Sequence, residues 1–294
     1  MAYRLPAEIA QFQKSQNLKF QTIFSTNPKT EKSEFPTIIL HLLPSNLSGK
    51  NVCPNAGNCE KICLNYAGNP AYLKTKLGAR LRKTLAYFEN RENFMQLLIL
   101  GIVREYFKNN KEKMAVRLNG TSDILWENVP VNVTPSMAAY MYSNFQFNAY
   151  SGKFSSIFEF FQRNLQNPDR IQFYDYTKTP RDFAKCKALG YHLTFSFDGW
   201  NNAQNVENCK TALENGVNVA AAFNLKRGAV LPDYVKAAQF LGDSVGDRVF
   251  AVYDGDLSDY RPADPTYGTI IGLRFKLPHG AQYTAQDVAN FCIA

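Results

Sequence analysis

Three of the six cysteines lie close together in the chain, at Cys53, Cys59 and Cys63, in the order C-x5-C-x3-C. Thiolates are soft ligands that bind zinc or iron–sulfur centres. Three of them within eleven positions can close around one metal centre. The spacing therefore predicts a metal-binding loop with three local thiolate ligands.

The residues alone leave the identity of that centre open. Three thiolates with no evident fourth suit a [4Fe–4S] cluster that has one open iron. A structural zinc site normally takes four ligands, and free thiols with only a packing role are the third alternative. A secreted disulfide scaffold would be shorter and richer in cysteine, so that class is disfavoured. The side chains available as a fourth zinc ligand are the remaining cysteines and the histidines: Cys186, Cys209, Cys292, His41, His192 and His279.

The composition is typical of a globular protein. Hydrophobic residues make up 45% of the 294 residues, which excludes a wholly disordered chain. The net charge of +8 suits nucleic acid, an anionic small molecule, or solubility alone. The apolar run at 97–103 is far shorter than the ~20 residues of a membrane span, and the first residues lack a secretory signal. We therefore expect a soluble cytoplasmic protein with no membrane partner.

Short apolar runs that alternate with amphipathic stretches predict an α/β fold. Strand starts in the second half recur about every 20 to 30 residues, the length of a βαβ crossover. The predicted strands cover 36–43, 114–118, 170–175, 191–197, 217–223, 248–253 and, as an edge strand, 269–276. The predicted helices cover 70–109, 136–143, 155–166, 180–189, 202–214 and 232–241.

This pattern favours a partial (β/α)6 TIM-like barrel over an open doubly wound sheet. The first strand is not followed by the G-x-G-x-x-G motif of a dinucleotide fold. We predict an N-terminal extension over 1–35, a barrel core over 36–260, and a C-terminal edge strand and tail over 261–294.

Polar residues follow each predicted strand, where α/β barrels carry their chemistry. Each of them alone is more often a helix cap or a turn residue. Together with the cysteines, they predict one polar site at the carboxyl ends of the strands. They are Asn119, Thr121, Ser122 and Asp123 after the second strand, Tyr174, Asp175, Tyr176, Thr177 and Lys178 after the third, Ser196 and Asp198 after the fourth, Asn224 and Lys226 after the fifth, and Asp254, Asp256 and Asp259 after the sixth.

Four separated motifs resemble the bacteriophage gene product 88 family. They are the run from Cys53 to Asn65, the stretch RLNGTSDI at 117–124, the segment FYDYTK at 173–178, and DGD at 254–256 together with GLRFK at 272–276. The resemblance implies a phage-encoded protein that works in the host cytoplasm. It implies no particular activity.

The organisation also resembles that of radical S-adenosylmethionine (SAM) enzymes, although their usual cysteine spacing is C-x3-C-x2-C. In those barrels three cysteines after the first strand ligate a [4Fe–4S] cluster whose open iron binds SAM. The resemblance implies that Cys53, Cys59 and Cys63 bind the cluster, with an unknown substrate and an electron donor such as a flavodoxin. The implied SAM-binding residues are Asn119, Gly120, Thr121, Ser196, Asp198 and Asn224. The implied pocket residues, for proton transfer or anion binding, are Asp123, Tyr176, Lys178 and Asp254.

Two other functions fit the sequence. A zinc-stabilised phage nucleic-acid-binding protein acting in replication would use its excess of basic residues to contact phosphates and its many aromatic residues to stack on bases. A hydrolase would bind a divalent metal through Asp254 and Asp256, although D-G-D is also an ordinary turn.

Overall fold

The computed structural model describes residues 3–26, 35–66, 73–239, 241–242, 248–265, 267–276 and 282–293. The chain separates into two compact units, each assembled from several segments. Unit 1 comprises residues 1–52, 75–173 and 184–191, and unit 2 comprises 53–74, 174–183 and 192–294. The cysteine loop belongs to unit 2.

The strands confirm the α/β class. Eight of them form one sheet in the order β1-β2-β5-β6-β7-β10-β9-β8, and β3 and β4 form an antiparallel pair. The strands are β1 (Thr37–Ile39), β2 (Met114–Arg117), β3 (Val131–Val133), β4 (Gly152–Phe154), β5 (Ile171–Thr177), β6 (Tyr191–Ser196), β7 (Val219–Phe223), β8 (Tyr234–Lys236), β9 (Val249–Asp254) and β10 (Ile270–Arg274).

Parallel pairing dominates the sheet. The pairs β1–β2, β2–β5, β6–β7, β7–β10 and β9–β10 are parallel, and β8–β9 is antiparallel. No pairing within the described residues joins β1 to β8, which stand at the two ends of the order. A closed barrel is therefore not seen there, and the predicted TIM-like barrel is not confirmed.

The helices fall largely where the amphipathic stretches predicted them. The long segment 70–109 is two helices, because Asn90 caps the second with its side chain. The helices are α1 (Ala7–Gln16), α2 (Ser45–Ser48), α3 (Leu73–Glu89), α4 (Arg91–Lys108), α5 (Pro135–Phe145), α6 (Ile157–Asn164), α7 (Phe183–Ala188), α8 (Ala203–Glu214) and α9 (Ala285–Phe291). None of the described helices is long and apolar enough to cross a membrane.

Two elements correct the sequence prediction. The helix predicted over 232–241 is wrong, because β8 and the short turn Ala237–Gln239 occupy that stretch. Val235 is buried between the exposed Tyr234 and Lys236, which is the two-residue alternation of a strand. The predicted edge strand at 269–276 is β10, which lies inside the sheet between β7 and β9.

In unit 1, Asn119 organises the loop that follows β2. Its side-chain oxygen accepts hydrogen bonds from the Ser122 hydroxyl, the Ile124 amide and the indole nitrogen of Trp126, at 2.9, 3.0 and 2.9 Å. Its amide nitrogen donates to the Ile124 carbonyl and the Tyr191 hydroxyl. Both donors and the acceptor of this buried side chain are therefore engaged within unit 1.

Replacing Asn119 should therefore destabilise the fold. The variant Asn119→Ala leaves the fully buried Trp126 indole and the Ile124 amide without their acceptor, so we expect a loss of ~3 kcal/mol in the free energy of unfolding. Urea unfolding followed by tryptophan fluorescence measures it. The control Asn224→Ala, at an exposed position, should change stability by less than ~0.5 kcal/mol. Equal losses in the two variants would contradict this role for Asn119.

Candidate metal centre

The cysteine loop of unit 2 spans residues 53–66 and contains two single 3-10 turns, Gly57–Glu60 and Leu64–Tyr66. Cys53, Cys59 and Cys63 form no disulfide bonds, and all three are partly exposed. Within the loop, the Cys59 amide donates to the Ala56 carbonyl and the Tyr66 amide to the Cys63 carbonyl, both at 3.0 Å. Further contacts tie the loop to the rest of unit 2.

The loop brings the thiols together. A hydrogen bond with the Cys59 side chain, burial, and the charges of Cys59 and Cys53 raise the pKa of the Cys63 thiol. The Asn65 amide donates to the Cys63 sulfur at 3.4 Å, which lowers that pKa and favours the thiolate. Thiolates this close together repel one another, and a bound cation would reduce that repulsion.

A buried carboxylate holds this loop in place. Asp198, two positions beyond the end of β6, is fully buried and accepts hydrogen bonds from the amides of Asn58 and Cys59 at 2.8 and 2.9 Å. The side-chain amide of Asn202, the N-cap residue of α8, donates to the same carboxylate at 2.9 Å. Asp198 thus clamps the backbone beside Cys59.

Two glycines make the close approach possible. A Cβ added at Gly57, whose φ is +51°, would overlap the Asp198 carboxylate. A Cβ added at Gly199, whose φ is +110°, would overlap the backbone oxygen of Asn290. Larger residues at either position would displace the loop from its anchor.

Lys178 supplies the positive charge at this anchor. Its ammonium nitrogen lies 3.9 Å from the Asp198 carboxylate and 5.5 Å from the centre of the Phe291 ring. Burial raises the pKa of Asp198, while Lys178 and then the hydrogen bonds from Asn202, Asn58 and Cys59 oppose that rise. Every one of these neighbours favours the carboxylate form.

Helix α9 supports the other side of the loop. Lys61 forms an ion pair with Asp287 at 2.8 Å, and this contact, together with the bonds from Thr284, lowers the pKa of Asp287 to about 2. Asp287 also completes the capping box that starts α9 at Thr284. The loop is therefore held from both the β6 end and the C-terminal helix.

The structure places the remaining predicted site residues in several different settings. Tyr176 lies near the end of β5. Ser196 ends β6, and its carbonyl accepts a hydrogen bond from the side-chain amide of Asn205. Asn224 is exposed after β7. The predicted residues Asn119, Gly120, Thr121 and Asp123 belong to unit 1. Within unit 2, the structure brings Cys59 beside Asp198 and Lys178, and Cys63 beside Cys59.

Asp254 and Asp256 are bound to an arginine. Arg274 donates to Asp254 at 2.8 and 2.9 Å and to Asp256 at 3.3 Å, and hydrogen bonds to the two carboxylates raise its pKa. The Asp256 carboxylate also accepts from the backbone amide of Arg274. The two carboxylates thus serve an ion-pair network, which disfavours the divalent-metal hydrolase.

None of the other described cysteines and histidines belongs to a three-member group that could hold a metal ion. Burial raises the pKa of Cys209 and raises that of Cys292 to about 12, and Cys186 lies in unit 1. Burial and Arg261 lower the pKa of His192 to about 4. His279 lies outside the described residues.

His41, in unit 1, sits among cations. Burial and the charges of Arg80, Lys83, Arg117 and Lys76 lower its pKa to about 2. A ring in that field is a poor ligand for a metal cation.

No group of three or more histidine, cysteine or carboxylate side chains surrounds a position for a metal ion in the part of the chain that the structure describes. Cys59 and Cys63 share a hydrogen bond, the charge of Cys53 acts on Cys63, and the Asn65 amide points at the Cys63 sulfur. The described residues thus hold three thiols in one anchored loop, without a coordination shell around them.

Sequence reasoning missed the anchoring residues Gly57, Asn58, Asn202 and Asp287. Gly57, two positions before Cys59, was the available signal, because a glycine next to a metal-binding cysteine often marks a close backbone approach. Asn202 could have been recognised as an N-cap before α8. The ion pair between Lys61 and Asp287 has no local signal, since 226 positions separate the partners.

Comparison with known proteins gives one match. A family model described as Gene product 88 matches residues 14–294. No curated protein and no solved structure matches the chain.

Removing the Asp198 carboxylate should free the cysteine loop. In metal-free protein, Asp198→Ala leaves the amides of Asn58 and Cys59 without an acceptor, so alkylation of Cys59 should become roughly tenfold faster or more. Quantitative mass spectrometry of iodoacetamide labelling measures the rate. Asp198→Asn, which keeps one acceptor oxygen, should fall between, and the exposed control Asp233→Asn should match wild type. An unchanged rate in Asp198→Ala would disprove the anchor.

Stability should fall in mild acid because His41 and His192 are held neutral. Their folded pKa values, about 2 and about 4, lie below the ordinary 6.5, so the unfolded chain binds more protons as the pH drops below 6.5. Each histidine should then lower the free energy of unfolding by up to about 1.4 kcal/mol per pH unit. Urea unfolding at pH 7, 6 and 5 tests this slope, and His41→Gln should reduce it. A pH-independent stability over this range would contradict the buried neutral histidines.

Proposed function

The chain belongs to the bacteriophage gene product 88 family, and on that premise we propose that Cys53, Cys59 and Cys63 bind an iron–sulfur cluster. The observation that carries the proposal is the clamp at Asp198, which fixes the Cys59 backbone through a carboxylate removed from solvent. Burying a carboxylate is costly, so its use to hold a short surface loop indicates that the conformation of the loop matters. We infer that the loop is held for the function of its thiols.

The donor set favours a cluster over a single zinc ion. Three thiolates suit a four-iron cluster, in which one iron keeps a coordination position for another ligand. A structural zinc ion instead needs a fourth protein ligand. Among the described cysteines and histidines outside the trio, Cys186, Cys209 and Cys292 are buried, and burial together with nearby cations lowers the pKa of His41 and His192. The N–H···S bond from Asn65 to Cys63 is of the kind that stabilises cluster thiolates.

The surrounding residues have separable tasks in this proposal. When bound, the cluster supplies one-electron chemistry. Asp198 and Asn202 keep the loop backbone in place, and Asn65 directs its amide at the Cys63 sulfur. Lys178 places a cation near Asp198 and so offsets the negative charge that three thiolates add to the unit.

SAM is not part of this proposal. Two of the implied SAM-binding residues are used elsewhere: Asn119 holds the loop after β2, and Asp198 holds the cysteine loop. SAM binding and the partial barrel of that superfamily stay predictions from the sequence. The proposal for the three cysteines depends on neither.

Anaerobic purification followed by iron and sulfide analysis tests the proposal. We expect a brown protein with about four irons and four sulfides per chain. Cys59→Ala should lose most of the iron and the visible absorbance, because a cluster needs all three thiolates. The matched controls Cys186→Ala and Cys292→Ala, at buried cysteines outside the trio, should keep both.

Stoichiometric zinc without sulfide, released by the same Cys59→Ala change, would overturn the iron–sulfur assignment. That outcome would favour the zinc-stabilised nucleic-acid-binding protein. A colourless protein with neither metal, after reconstitution with iron and sulfide, would leave the trio as ordinary thiols and end the proposal.

A further inference from the structure

Unit 2 has an open cavity beside helix α8. Its volume is about 460 Å³, which lies in the range of sites that bind small organic ligands. All of its lining residues belong to unit 2. They are Ala203, Val206, Glu207 and Lys210 on one face of α8, Trp200 before that helix, and Ala238, Gln239, Leu241 and Gly242 after β8.

Trp200 contributes an aromatic ring to this cavity. It lies in the loop between β6 and α8, and 60% of the residue is exposed to solvent. The other tryptophan of the chain, Trp126, is fully buried. An exposed indole beside a cavity offers a flat apolar surface on which a planar ligand can stack. Its position beyond the carboxyl end of β6 is also where ligands of open α/β sheets bind.

The rest of the lining is mainly small or apolar. Ala203, Ala238 and Gly242 have no side chain beyond a Cβ atom, so they leave space next to the helix. Val206 and Leu241 add apolar surface. Walls of this kind suit the faces of an aromatic ring better than they suit an ion.

The polar groups of the lining are balanced in charge. Lys210 donates to Glu207 at 3.1 Å, and the two side chains are 19% and 64% exposed. The Gln239 side-chain oxygen accepts from the Lys236 amide at 2.8 Å, which holds that side chain in place. A paired cation and anion, together with an amide, present both donors and acceptors without favouring a ligand of either charge.

We propose that this cavity, the Trp200 pocket, binds a nucleobase that stacks on the indole ring. A base has flat apolar faces and an edge of hydrogen-bond donors and acceptors, and the lining offers both kinds of surface. A hydrocarbon ring would not use the polar groups of Glu207, Lys210 and Gln239, and a lone phosphate would not use the indole. The inference concerns unit 2 and does not depend on a metal at the cysteine loop.

Titration of the full chain with adenosine tests the Trp200 pocket. Stacking should quench the fluorescence of Trp200 saturably, while Trp126, fully buried in unit 1, gives a constant background. Calorimetry then compares the variants, with circular dichroism to confirm folding. Trp200→Leu should weaken adenosine binding about tenfold or more, and Trp200→Phe should lie between that variant and wild type. The matched control Tyr267→Leu, at an 88% exposed aromatic residue of unit 2 outside the lining, should stay within about twofold of wild type.

Free nucleosides and single-stranded nucleic acids both present such a base, and a single-stranded oligonucleotide separates the two sources. Tighter binding of the oligonucleotide than of adenosine, weakened by salt, would indicate that the base belongs to a nucleic acid. Equal affinities for the two probes would indicate a free nucleoside.

Two results would overturn the proposal: no saturable binding of either probe, or equal affinities in Trp200→Leu and Tyr267→Leu. The iron and sulfide content of the same preparations is a separate measurement, so the nucleobase site can fail while the iron–sulfur assignment stands, and the reverse.

Discussion

The cysteine loop depends on one buried charge. Asp198 takes two amides and one side-chain amide as donors, and no regular helix or strand holds this stretch in their place. A carboxylate removed from water is stable only when its oxygens are matched by donors and a nearby cation. Lys178 and the backbone of the loop meet that need, so the charge and the loop stabilise each other. Because Gly57 and Gly199 have no side chain, they leave the room that the loop needs to approach Asp198 and Asn290.

The local part of the site could be predicted from the sequence. Cys53, Cys59 and Cys63 lie within one short loop, so their spacing alone brings the thiols near each other. The role of Asp198 could not be predicted in the same way, because its partners at Asn58 and Cys59 are 140 and 139 positions distant. The sequence indicated a polar residue at the end of a strand, but not that its partners are backbone amides.

The fold shows the same limit. Periodicity located nearly all the strands of the large sheet, because each strand carries its own pattern of apolar residues. The order of the strands is a property of the folded chain, and β10 therefore lies inside the sheet although it comes last among the strands. The stretch that contains β8 was predicted as a helix. The strand has only three residues, so the alternation of buried and exposed positions around Val235 is too short to be recognised in the sequence. Asn119 was predicted to face a ligand, whereas the loop after β2 uses every hydrogen-bonding group that its side chain has.

The ion pair between Lys61 and Asp287 sets an order of events during synthesis. The ribosome makes the three cysteines early, but Asp198 follows about 140 residues later and Asp287 comes 226 residues after Lys61. A nascent chain therefore carries its thiols before it has either support. The loop reaches its anchored form only after α9 has emerged and docked, long after the three cysteines have been made.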